Sequence, residues 1–133
     1  MHNLTLAILE DCTQGSDEDR LTFPQVVGNL MSAGIERYHA DLQRSEKTYY
    51  LPSGESKVLK TYTVAAQAAG SFSPSGVADA VRAIQKGQIK YNEFCERILA
   101  AGCVSYIVSL AGKRAVYYGR TGEAYVEMFP SAA

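Results

Sequence analysis

The chain has 133 residues, 47% hydrophobic and 20% charged, with 13 basic and 14 acidic side chains and a net charge of −1. That size and balance fit one soluble globular domain, with no basic stripe to hold a phosphate backbone, so no nucleic-acid partner is expected. No apolar run approaches the roughly 18 residues of a membrane span, so no membrane association is expected either.

The first eleven residues, Met1 to Asp11, lack a basic segment and end in acids, so they read as the start of a helix over 3–14 and not as a secretory leader. Leu6 and Leu9 form its apolar side. A second helix starts at Thr22, where Thr22 and Gln25 make a capping box and Pro24 is tolerated in the first turn. Val26, Val27, Leu30 and Met31 form its expected buried stripe, and Gly34 stops it. Three strands follow, at about 36–43, 47–52 and 56–61.

Residues 63–72 form a crossover, expected to be ordered because Val64 and Phe72 need burial. Ser73 caps a helix over 74–86, with Val77, Val81 and Ile84 on one side and Gly87 at its end. A fourth helix carries Phe94, Cys95, Ile98 and Leu99 and stops at Gly102. Strands at 103–110, 113–119 and 123–128 complete the chain.

The two halves repeat. Residues 23–60 lie without a gap on 91–128, with identities at Ala33/Ala101, Gly34/Gly102, Tyr38/Tyr106, Leu42/Leu110, Tyr49/Tyr117, Tyr50/Tyr118, Gly54/Gly122, Glu55/Glu123 and Val58/Val126. The expected architecture is a single domain over 1–133: a duplicated helix–helix–three-strand unit, about 1–62 and 73–130, with helices on one face of one or two antiparallel sheets.

Strand alternation sorts the side chains. Tyr38, Ala40 and Leu42 point to the core, as do Tyr106, Val108 and Leu110. Tyr50 and Tyr118 are placed in the core beside Thr48 and Val116, which leaves Tyr49, Tyr117 and Tyr125 on the face away from the helices. Arg37, His39 and Asp41 share the outer side of the first strand. Tyr49, Tyr117, Tyr125, His39 and Arg37 are therefore the candidate contact residues, because aromatic rings with polar tips suit stacking and protein interfaces.

Cys12, Cys95 and Cys103 are odd in number and show no C-x-x-C spacing, which points to a reducing, cytoplasmic protein; Cys95 and Cys103 stand where the first half has Val27 and Ile35, so those two read as buried thiols. With His2 and His39 far apart, no metal set is expected, and no phosphate-loop, dinucleotide or nucleophile-elbow motif implies a cofactor. Glu55 and Glu123 recur at hairpin ends, where solvated charge is the expected state. Ser45-Glu46-Lys47 reads as a polar guard on an edge strand.

Gln85-Lys86-Gly87, Tyr91, Phe94-Cys95, Ala101-Gly102, Tyr106, Val108, Tyr117-Tyr118, Gly122 and Glu127 together resemble the YbcV/YdfO-like family of small bacterial proteins. That family is a domain of unknown function, partly prophage-associated, and the resemblance implies no catalytic residues. The reading from sequence is a non-enzymatic module binding an unidentified small molecule or protein. The alternative is a small-molecule enzyme with a His39 base and a tyrosine acid in the cleft between the repeats. A homodimer through an unpaired edge strand is a third expectation.

Overall fold

The computed structural model describes residues 1–64 and 66–130. Helices α1 (Asn3–Asp17) and α2 (Phe23–Ser32) precede strands β1 (Arg37–Asp41), β2 (Glu46–Tyr50) and β3 (Ser56–Lys60). Helices α3 (Pro74–Gln85) and α4 (Tyr91–Ala100) precede β4 (Cys103–Ser109), β5 (Arg114–Gly119) and β6 (Ala124–Met128). The strands form a single antiparallel sheet in the order β3-β2-β1-β4-β5-β6. This is an α+β fold, and the choice between one sheet and two resolves as one.

Local chemistry sets the helix ends. Thr22 accepts from the Gln25 N–H while the Gln25 side chain accepts from the Thr22 N–H, the reciprocal capping box. Ser73 accepts from the Gly76 N–H at 3.1 Å and opens α3. Gly102 adopts φ 85°, and a side chain there would meet the Ser71 carbonyl oxygen at 2.2 Å. Only glycine lets the crossover pass so close to the α4–β4 turn. The crossover is further held by the Ala69 N–H donating to Leu99 and the Ser73 N–H to Ala101. Val64 and Phe72 pack against the core.

All four helices bury their apolar sides on one face of the sheet. Leu9, Leu30, Val77, Val81, Phe94, Cys95 and Ile98 join Tyr38, Ala40, Tyr106 and Val108 in one continuous core. The stripe expected on α2 is narrower than its sequence suggests: Val26 and Leu30 are buried, Val27 is half-buried, and Met31 is exposed. α2 thus presents two fully buried positions to the core.

β2 is flanked on both sides, by β1 and β3, so Ser45-Glu46-Lys47 does not guard an edge. Ser45 and Lys47 are in fact buried. Glu55 and Glu123 stand in the β2–β3 and β5–β6 hairpins, towards opposite sides of the sheet with β1 and β4 between them, so they form no carboxylate pair.

Candidate functional site: the open face of the sheet

Cross-strand partners in an antiparallel pair share a face, so the register decides which tyrosines are covered. Tyr49 stands opposite Tyr38, and Tyr117 opposite Tyr106. Both therefore face the helices, with 1% and 6% of their surface exposed. Tyr125 lies opposite Tyr117 on the same side and is half-buried, its hydroxyl donating to Glu127. The expected assignment of these three tyrosines to the outer face is corrected. Tyr50, Tyr118, Thr48 and Val116 lie on the outer face instead.

The physical reason is the length of the β1–β2 loop. Residues 42–45 make a four-residue loop that ends on Ser45 at φ 56°. A three-residue loop at 44–46, as the expected strand limits imply, sets Gln43 opposite Lys47, three positions from the observed register, and such an odd shift turns every β2 side chain over.

Buried tyrosines then explain the core. Tyr38 packs 5.4 Å from Tyr49 and 6.5 Å from Tyr106, and Tyr117 lies 5.3 Å from Tyr106 and 6.2 Å from Phe94. Thr13 Oγ1 donates to the Leu9 carbonyl, so in its 2.8 Å contact with Tyr49 the tyrosine hydroxyl is the donor. Burial pushes the Tyr38, Tyr91 and Tyr106 hydroxyls well above the ordinary phenol range.

One buried cation sits among these rings, and sequence reasoning missed it. Lys47 is 4% exposed, with Nζ 4.2 Å from the Tyr91 ring centre and 6.0 Å from that of Tyr38. Among the described residues no carboxylate comes within 4.0 Å of Nζ. Burial lowers its pKa. The available signal was Lys47 standing two residues from Tyr49 on one strand face, legible only with the register known. Nearby, Asp17 accepts from the Tyr62 N–H through Oδ2, while its buried Oδ1 has no partner. Burial raises the Asp17 pKa.

All three cysteines are buried and free, Cys95 and Cys103 as expected, and burial pushes the Cys95 and Cys103 thiols up to about 11. Such thiols stay protonated and are poor nucleophiles. No group of three or more metal-ligating side chains assembles among the described residues. No helix there is long and apolar enough to cross a membrane.

The outer face carries no helix. Its middle row runs across all six strands as Val58, Thr48, His39, Ile107, Val116 and Val126, each directly opposite the next. Val58 and Val126 are 50% and 49% exposed. Arg37 and His39 lie on this face as expected. The Arg37 guanidinium sits 4.1 Å over the Tyr50 ring and pairs with Glu36. Arg37, Tyr38, His39, Tyr50 and Ile107 line a shallow hollow of about 250 Å³. A second hollow of about 240 Å³ between α1 and β3 is lined by Glu10, Thr13, Gln14, Asp17, Leu59 and Lys60.

A family model described as protein of unknown function (DUF1398) matches residues 14–127, from the end of α1 into β6. The chain belongs to this family. No curated protein matches the chain. The family's description assigns no activity.

Proposed function

We propose that this DUF1398 protein is a soluble, cytoplasmic, non-enzymatic binding module that engages its partner through the open sheet face. The observation that supports this is the uncovered middle row of the sheet, apolar without a break at Ile107, Val116 and Val126 and again at Val58 beyond Thr48 and His39, beside a hollow holding Arg37, His39 and Tyr50. Exposed apolar patches of this continuity mark interaction surfaces more often than they arise in isolated monomers. The contact set becomes Arg37, His39, Tyr50, Ile107, Val116 and Tyr118. Tyr49, Tyr117 and Tyr125 act by holding the sheet beneath it.

The sheet derives, in this reading, from duplication of one helix–helix–three-strand unit. Paired backbone conformations support it: Gly34 and Gly102 at φ 79° and 85°, Gly54 and Gly122 at 95° and 90°, Ser45 and Lys113 at 56° and 53°. In this reading the chain is also a bacterial, partly prophage-associated protein, which the resemblance of its residues 85–127 to YbcV/YdfO-like proteins supports.

A second reading uses the same hollow as a catalytic pocket, with His39 as base and Tyr50 as the neighbouring acid. It is favoured only by their convergence on one concavity. A thermal-shift screen of metabolites, nucleotides and peptides tests the binding reading, run beside a His39→Ala, Tyr50→Ala variant. At about 100 times its dissociation constant a ligand adds about 2.7 kcal/mol. A saturable shift lost in the variant supports the face. An equal shift in both proteins moves binding elsewhere and overturns it, and chemical conversion of the hit identifies an enzyme.

A further inference from the structure

We propose that the partner of the open face is a second copy of this chain, packed sheet to sheet about a two-fold axis lying along the apolar row. This rests on the reading of that face as the binding surface. The charges carried on either side of the row support this pairing. One flank runs Ser56, Tyr50, Arg37, Ser109, Arg114 and Met128 across the strands, with two cations and no acid. The other runs Lys60, Glu46, Asp41, Ser105, Tyr118 and Ala124; Glu46 is already bridged by Lys60 and Arg44, which leaves Asp41 as the acid there without an ion pair among the described residues.

A two-fold axis along the row lays each flank on the opposite flank of the second copy, and the middle row on itself, so that Ile107, Val116 and Val126 each meet their own counterpart. Arg37 then faces Asp41 of the second copy, and Arg114 faces the second Tyr118 ring. An axis along the strands instead stacks Arg37 and Arg114 on the same flank of the other copy, which like charge disfavours. The pattern therefore selects one of the two face-to-face symmetries.

Aligned sheets cross at about 30°, a rotation that displaces central strands least. β1 and β4 are the two central strands, and they carry the Arg37–Asp41 and Ile107 contacts. Arg37 is already braced over Tyr50 and shared with Glu36, so little side-chain freedom remains to be lost. The Gln43 and Arg44 N–H groups occupy only Oδ1 of Asp41.

The area suffices. Six strands about 4.8 Å apart and five residues at about 3.4 Å give a face of about 500 Å² per copy in projection. Two such faces reach roughly the 1,000 Å² that a specific interface requires.

Sedimentation equilibrium tests the proposal. Wild type is expected at twice the 14.5 kDa of one chain at high concentration, dissociating on dilution. Ile107→Asp is expected to be a folded monomer. Arg37→Asp and Asp41→Arg, each alone, should weaken the dimer at least about tenfold by like-charge opposition. Mixing those two variants should restore it, since each then meets an opposite charge; circular dichroism melts confirm that both are folded. A monomeric wild type at every concentration overturns the proposal, while the ligand screen above still decides the binding reading. A dimer unaffected by Ile107→Asp, or failure of the mixed variants to associate, overturns it as well, the first pointing to edge-strand pairing.

Discussion

Neighbouring tyrosines on β5 give a test of the face assignment with an internal control. Tyr117 is 6% exposed and packs against Phe94, Tyr106 and Tyr125, with ring centres between 5.3 and 6.4 Å apart. Truncating a buried aromatic to alanine costs about 3–5 kcal/mol through lost burial and the cavity left behind. Lost ring pairing belongs within that figure, since each aromatic pair contributes about 0.5–1.5 kcal/mol. Tyr118, one residue on, points to the uncovered face and is half-buried. Tyr118→Ala loses strand propensity and partial packing, about 1 kcal/mol. Urea unfolding followed by circular dichroism, at protein concentrations low enough to avoid association, measures both. Tyr117→Ala should lower the midpoint at least twice as far as Tyr118→Ala, with similar slopes. Equal losses, or a larger one for Tyr118, would refute the register from which every statement about the open face follows.

Four further outcomes are expected. Tyr49→Phe removes the donor to Thr13 and should cost about 1 kcal/mol in urea unfolding, with the core otherwise intact. Gly102→Ala should be far more damaging than Gly122→Ala: both residues have positive φ, but only Gly102 lies against the Ser71 backbone, and thermal melts will rank them. Stability should fall at alkaline pH. Tyr38, Tyr49, Tyr91, Tyr106, Tyr117 and the three cysteines all have raised folded pKa values. They hold protons more tightly folded than unfolded, so that stability is complete below the unfolded values of 9.0 and 10.0 and is lost as pH rises towards the folded ones. Lys47, with its lowered value, has the opposite sign but is a single group. Urea midpoints between pH 8 and 11 check the direction. Last, the three thiols should react with Ellman's reagent at the rate of unfolding, and a fast native phase would contradict their burial.

Much of the fold was legible because local chemistry and global packing agree. Thr22 with Gln25, Ser73 before Pro74, and the glycines at 34, 87 and 102 mark helix limits through backbone requirements that need no tertiary context. The alternation of Tyr38 with Ala40, and of Tyr106 with Val108, likewise identifies the covered side of β1 and β4. The second strand of each half was not legible in this way. In Glu46–Tyr50 a lysine occupies a covered position and two tyrosines stand in sequence, so the period-2 pattern has no apolar phase to follow. Register there is set by the residue that takes positive φ in the loop. Ser45 and Lys113 do so without being glycine, which removes the usual mark. That hidden step exchanged Tyr49 for Tyr50 among the candidate contacts, and treating the two halves alike carried the same exchange to Tyr117 and Tyr118, where the expected strand limits already imply the observed register. It concealed Lys47 for the same reason. Arg37 and His39 were placed correctly because β1 needs no loop to fix its phase.

The central claim is that the apolar row serves a partner and not the fold of the single chain. Ile107→Thr, Val116→Thr and Val126→Thr, combined, keep β-branched strand formers while removing apolar surface from the row. Urea unfolding of this triple variant at low micromolar concentration is the most direct test. The account predicts a cooperative transition within about 1 kcal/mol of wild type, as expected for surface substitutions away from the core. A loss of about 3 kcal/mol or more, on the scale of core truncation, would contradict it and make the row part of the core.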